Sequence, residues 1–185
     1  MSSLLRKAVA GAAVLVLAGS QTARAQVGLT SNVATVALTA TKNATLTVTP
    51  NASTATLASI TDNSAANDFT PVSLTTSWNL TAGSSVRLIG WFATPAQALV
   101  NGTSFIPSSK VLGRVGATAY APFTGAALGG VGVAGGSLQL FSQGVAAANY
   151  FGTRTDQLDL RLDLTATTTM AGDYLGTLNL QAIVQ

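Results

Sequence analysis

The sequence predicts an all-β fold: a single antiparallel β-sandwich, immunoglobulin-like or pilin-like, with about nine or ten short strands. Apolar and polar residues alternate strictly in several stretches of the chain. Gly, Asn and Pro interrupt these stretches at short intervals, as turns between strands require. Only residues 95–100 and 145–149 suggest short helical turns. Short strands at this spacing are typical of sandwiches and barrels.

The clearest alternation is in residues 158–166, which read LDLRLDLTA. Side chains on a strand alternate between its two faces, so the four leucines and Ala166 are expected on one buried face. Asp159, Arg161, Asp163 and Thr165 then share the opposite face, which we expect to meet water. Residues 174–184 alternate in the same way, and we expect the two runs to form an antiparallel pair that closes the fold.

Other stretches of the chain predict further strands. The run 86–92 is apolar on both faces, as in a central strand, and the run 72–80 places Trp78 among its apolar, core-facing side chains. Residues 125–136, mostly Gly and Ala, predict a loop or a weakly specified edge strand. The remaining expected strands are residues 36–40, followed by a turn at Lys42 and Asn43, and then residues 44–48, 55–60, 111–120 and 137–142.

Residues 1–25 have the pattern of a signal peptide. Arg6 and Lys7 precede a short apolar run, and Ala23 and Ala25 supply the small side chains that a signal peptidase accepts. We therefore expect cleavage before Gln26, one β-sandwich domain over residues 26–185, and a secreted or cell-surface location. No later apolar run reaches about 20 residues, so we expect no stable membrane anchor.

Removal of the signal peptide would cancel the net charge. Three of the nine basic residues, Arg6, Lys7 and Arg24, lie within it, which leaves six basic residues against six aspartates. A nucleic-acid partner is not expected, because the basic surface that such a partner needs is missing. Charged residues make up only 8% of the chain, against about 25% in an average domain. Few charges and zero net charge favour association with other chains.

The residue types exclude most catalytic chemistry. The chain contains no His, Cys or Glu, so the usual nucleophilic triads, zinc sites and glutamate pairs cannot form. Residues 130–135 match the G-x-G-x-x-G dinucleotide pattern, but the sequence that follows predicts a strand where that motif requires a helix. We therefore expect a non-catalytic protein without a cofactor.

Two binding sites remain as candidates. Asp62, Asn63, Asn67 and Asp68 concentrate oxygen ligands in one polar loop, which is a weak indication of calcium. Trp91 lies out of phase with its apolar neighbour Phe92, so its side chain is the better candidate for an exposed ligand contact.

Residues 171–180, which read AGDYLGTLNL, resemble the A-G-x-Y-x-x-T ending of secreted bacterial β-sandwich subunits of the spore coat protein U and Csu-type fimbrial class. Subunits of this class polymerise when an N-terminal strand of one subunit completes the sheet of the next. The resemblance implies a role in surface assembly, with residues 26–41 as the donor strand and self-association through that segment.

Taken with its composition, the sequence predicts an exported structural or assembly protein of the bacterial cell surface. The first alternative is a secreted binding module for a glycan or a protein, which would use Trp91 or the Gly-rich loop. The second alternative is a small outer-membrane β-barrel, although the sequence shows no aromatic girdles.

Overall fold

The computed structural model describes residues 35–185. The chain divides into two units, residues 1–41 and residues 42–185. In the first unit, residues 35–41 are exposed and belong to no strand, so the strand expected over residues 36–40 is wrong. Alternation shows which side chains share a face, but a strand forms only where a neighbour pairs with its backbone. The expected signal peptide and residues 26–34 lie outside the described residues.

The second unit is all-β, which confirms the predicted fold class, with eleven strands instead of nine or ten. The additional strands are pieces of two or three residues. In chain order the strands are β1 (Thr45–Pro50), β2 (Asn67–Asp68), β3 (Val72–Asn79), β4 (Ser85–Trp91), β5 (Leu99–Asn101), β6 (Ser104–Ile106), β7 (Val111–Val115), β8 (Ala121–Pro122), β9 (Ser137–Gly144), β10 (Phe151–Leu162) and β11 (Asn179–Val184). Two 3₁₀ turns, Pro95–Gln97 and Ser108–Lys110, are the described helical elements.

Two antiparallel sheets form the sandwich. The large sheet has the order β1-β3-β10-β7-β8, with β2 also paired to β10, and the small sheet has the order β11-β4-β9. Strands β5 and β6 form a separate hairpin. The predicted central strand is confirmed, because β4 lies between β11 and β9 and its inward side chains are fully buried. No helix among residues 35–185 is long and apolar enough to cross a membrane.

One aromatic side chain, Phe123, fills the space between the two sheets. It is fully buried, and its ring meets Phe92 edge to face at a centroid distance of 5.2 Å. Gly113 on β7 and Gly90 on β4 make room for it, since a Cβ atom on either would lie within 2.9–3.0 Å of the Phe123 ring. Close approach of backbone to a bulky side chain explains glycine inside these strands.

The expected pairing of the last two strands is wrong. Strand β10 lies in the large sheet and β11 in the small sheet, where it pairs with β4. The buried leucine face itself is confirmed, because Leu158, Leu160, Leu162 and Leu164 are all buried. Period-two alternation identifies the buried face of a strand, but the partner strand depends on the path of the intervening chain, here residues 163–178.

Asp159 does not face water as expected: only 7% of its surface is exposed. Arg114 lies opposite it on β7 and its Nε donates to Asp159 Oδ2 at 2.9 Å, while Gln157 donates to Oδ1 at 2.6 Å. The ring of Tyr120 stacks on the guanidinium groups of both Arg114 and Arg161, at 4.4 and 4.3 Å. A cross-strand cation and an aromatic cover therefore remove this carboxylate from solvent.

The second ion pair of this cluster affects the dependence of stability on pH. Arg161 donates to both carboxylate oxygens of Asp68, at 2.6 and 3.0 Å, and this hydrogen bonding lowers the pKa of Asp68. A lowered pKa in the folded state stabilises the fold above the ordinary carboxyl pKa, and the contribution is lost as pH falls through the lowered value.

We expect Asp68→Asn to reduce the free energy of unfolding by at most about 0.5 kcal/mol near neutral pH, because the pair is half exposed. The difference from the wild type should shrink at acidic pH. Denaturant titration of both proteins from neutral to acidic pH measures this difference in the free energy of unfolding. Asp173→Asn, at an exposed position, is the matched control, and an equal loss in that variant would contradict the role of the pair.

Candidate functional site

An opening lies along one flank of the sandwich. Strands β1 and β11 are the edge strands of the two sheets and lie close together at this flank. Two adjoining cavities, of about 690 and 420 Å³, open where β1 ends and before β11 begins. We call them together the flank groove. Its first wall is formed by residues 52–58 and its second wall by residues 174–178.

The floor of the groove is the hydrophobic core itself. Val72 of β3 and Leu158 and Leu160 of β10 line it from the large sheet, and Phe92 and Leu180 line it from the side of the small sheet. These side chains belong to or pack against the main hydrophobic cluster. The bottom of the groove is therefore the apolar core between the sheets, where Leu180 is half-buried and the other four side chains are buried.

The first wall has the side-chain pattern of a strand without its hydrogen bonds. Ala55 and Leu57 pack against the core as strand residues would. The backbone is tied only at Asn51, which donates to Ser73 O at 2.9 Å, and at Thr56, which pairs with Thr70. Residues 52–55 make no backbone hydrogen bond to another described residue. The strand predicted over residues 55–60 is thus wrong, because no neighbour completes it.

The second wall has the same property. Tyr174 and Leu178 pack against the core, and Leu175 pairs with Val100 of β5 through two backbone hydrogen bonds of 2.8 and 3.0 Å. Residues 176–178 make no backbone hydrogen bond to other parts of the described chain. The predicted strand over residues 174–184 therefore begins only at Asn179. Among residues 35–185, both walls therefore contain backbone donors and acceptors without a backbone partner beside an apolar floor, which is what an added strand requires.

The hydroxyl of Tyr174 fixes the second wall in place. It lies 2.6 Å from the Ser104 hydroxyl and accepts a hydrogen bond from the Met170 amide at 3.1 Å. A half-buried tyrosine ring with a satisfied hydroxyl holds its backbone in place. The sequence motif that carried the family resemblance therefore lies in the groove wall, with its tyrosine as the anchor.

The calcium candidates serve other contacts in the structure. Asp62 accepts hydrogen bonds from the backbone and hydroxyl of Thr169, and Asp68 binds Arg161. The buried Asn67 amide bonds to Thr61 and Ser64 and holds the loop turn. Asn63 has a positive φ of 55°, which suits a turn. Among residues 35–185, no three acidic side chains gather at one point, so calcium gains no support.

The two tryptophans differ as the sequence suggested, but Trp91 is not openly exposed. Trp78 is buried, and its indole donates to Asn149 O at 2.9 Å, which confirms its place in the core. Trp91 is half-buried on the outer face of the small sheet, in register with Asn179 and Ser137. A ligand could therefore contact only the exposed part of the Trp91 side chain.

The Gly-rich segment 125–136 is a loop, as predicted, and it covers the small sheet. Gly129 lies so close to Ile183 that a Cβ atom would be 2.8 Å from that side chain. Ile89, on the outer face of β4, is fully buried. Strand β9 begins directly after the loop, so the segment lacks the helix that a dinucleotide site requires. Sequence reasoning gave no sign of this covering role.

Comparison of the chain with models of protein families, with curated proteins and with solved structures found no significant match.

Proposed function

We propose that this chain is an exported, non-catalytic structural subunit of the bacterial cell surface that assembles with further copies of itself. In this proposal the N-terminal segment of one copy enters the flank groove of the next. The observation that supports it best is the pair of groove walls, whose backbones lie beside the core yet make no backbone hydrogen bond to another described residue over residues 52–55 and 176–178. Free strand edges are normally covered, because they attract other strands.

The proposed occupant is the segment of residues 26–41 in a second copy. Within its described part, Val36 and Leu38 are 81% and 91% exposed, which is unusual for aliphatic side chains separated by one residue. Together with Ala40 they would share one face of a strand. That face matches the apolar floor, while the strand backbone would bond to the walls. The segment contains no proline, so all its amides can donate.

The charges of the second unit are consistent with a structural role. Asp68, Asp156 and Asp159 are each paired with an arginine, which leaves them unsuited to acid–base work. The first alternative, a binding module at Trp91 or the Gly-rich loop, gains no specific support, since Trp91 is half-buried and the loop covers the small sheet.

The test is a pair of double variants within the same segment. We expect Val36→Asp with Leu38→Asp to weaken self-assembly at least about a hundredfold, because two aliphatic side chains would no longer be buried. Thr35→Asp with Thr39→Asp adds the same charge on the opposite face of the strand and should assemble nearly as the wild type does. Light scattering over a range of protein concentrations gives the assembled mass.

Equal loss of assembly in both double variants would show that charge alone, and not the phase of the segment, causes the effect. An unchanged, monomeric mass for the wild type at all concentrations would overturn the proposal. It would leave the groove free or filled by the chain's own N-terminal segment.

A further inference from the structure

The outer face of the large sheet carries a regular grid of hydroxyl groups, remote from the floor of the flank groove. Two rows cross three neighbouring strands: Thr47, Ser77 and Thr153 form one row, and Thr49, Thr75 and Thr155 form the next. We call these six residues the hydroxyl grid. The strands are about 4.8 Å apart and residues two apart on a strand are about 6.7 Å apart, so the spacing is regular in both directions.

Alternation holds these side chains outward. Their neighbours Leu46, Val48 and Trp78 pack inward against the core. The Thr75 and Thr155 hydroxyls lie 3.2 Å apart, and those of Ser77 and Thr153 are also hydrogen-bonded. Cross-strand bonds of this kind fix hydroxyl positions before a ligand arrives. Both hydroxyl pairs lie on the exposed side of the sheet.

The positions around the grid carry no charged side chain, and an exposed aromatic ring lies beside it. The outward positions of β1 and β3, and those of β10 from Phe151 to Gln157, hold no charged residue. Phe151 continues the grid by one row, in register with Asn79. Its side chain is 73% exposed. A large apolar ring left in water next to hydrogen-bonding groups indicates a contact site.

We propose that this face binds a neutral polysaccharide laid flat across the strands. A pyranose ring has an apolar C–H face and a rim of hydroxyl groups. The first suits the ring of Phe151, and the second suits the grid and the Asn79 amide. The absence of charge at the outward positions of β1, β3 and residues 151–157 favours an uncharged polymer over an acidic one. A surface subunit with this face would attach its assembly to a glycan matrix while its groove serves assembly.

The experiment measures retention of the purified protein on two insoluble neutral polysaccharides, microcrystalline cellulose and chitin, at about 0.1 and 1 M salt. We expect retention on at least one of them, unchanged by salt. Phe151→Ala should lower the affinity by about three- to tenfold, as loss of one aromatic contact does. Phe105→Ala removes another exposed phenylalanine, on β6, and should leave retention unchanged.

A second matched pair tests the grid. Thr155→Lys should abolish close approach of the polymer, whereas Ser142→Lys, an exposed position on β9 of the small sheet, should have no effect. Circular dichroism verifies that each variant is folded. Measuring the Val36→Asp, Leu38→Asp variant in parallel separates the two proposals, because retention should persist when assembly is lost.

Several results would overturn the proposal. They are no retention of the wild type on either polysaccharide, retention that disappears at high salt, or equal effects of the control substitutions. A fourth is a change of assembled mass caused by Phe151→Ala, which would make this face a contact between copies of the chain.

Discussion

Replacing Phe123 by alanine is expected to lower the free energy of unfolding by about 3–5 kcal/mol, the cost of removing a large aromatic side chain from a core. The ring is fully buried between the sheets and contacts Phe92 edge to face. Its two glycine neighbours, Gly90 and Gly113, have no side chains that could move into the cavity. The glycines therefore cannot fill the cavity that the substitution leaves, and we expect a loss of unfolding free energy at the upper end of the range.

Phe105→Ala is the matched control, because Phe105 is 43% exposed on β6. It should change stability by no more than about 0.5 kcal/mol. Denaturant unfolding followed by tryptophan fluorescence measures both variants, since Trp78 lies in the same core. A loss in Phe123→Ala similar to that of the control would show that the sheets close over the site without the ring.

The sequence predicted the buried faces of strands well, for physical reasons. The alternation in residues 72–80 and 158–166 reflects one-sided burial, and both runs bury the expected side chains except at their ends, where Leu80 is half-buried and Ala166 is exposed. A run that is apolar on both faces also identified β4 correctly, although the cover of its outer face by the Gly-rich loop could not be foreseen. The apolar or polar character of each residue indicates whether its side chain is buried, and this does not depend on which strand lies next to it.

Strand pairing and the groove could not be predicted in the same way. Residues 55–60 and 174–178 alternate and turn apolar side chains to the core, yet within residues 35–185 only Thr56 and Leu175 of these segments are paired with a neighbouring backbone, and neither segment forms a strand. Alternation carries no information about backbone partners. The hydroxyl grid was missed for a related reason: T-x-T appears in the sequence at residues 47–49 and 153–155, but only the register places the two segments in common rows.

The inner face of β10 shows a further feature that alternation did not reveal. Beyond the leucines, Arg154 and Asp156 turn toward the interior, where they lie in register with Thr76 and Leu74. Arg154 donates to Asp156 through Nε and Nη2, at 2.5 and 2.6 Å, and its guanidinium lies 4.0 Å from the centre of the Phe141 ring. The side chains are 28% and 14% exposed, so the pair is largely withdrawn from water.

We expect Asp156→Ala to lower the free energy of unfolding by about 2 kcal/mol, because it leaves the guanidinium without its anion in a mostly buried place. Removing one partner of a fully buried ion pair costs about 3–5 kcal/mol. We expect a smaller loss here, because part of Arg154 still reaches solvent and Phe141 still contacts its guanidinium. The double variant Arg154→Met, Asp156→Leu removes both charges and fills the space with apolar atoms. It should lie within about 1 kcal/mol of the wild type or exceed its stability.

Chemical denaturation of the wild type, the single variant and the double variant distinguishes two causes of the expected loss: an unpaired buried charge, or the loss of a pair that stabilises the fold in itself. A stable double variant would show that the single loss comes from a stranded charge and not from a net gain of the pair. A double variant as unstable as Asp156→Ala would contradict this and show that the pair itself holds β10 to the small sheet through Phe141.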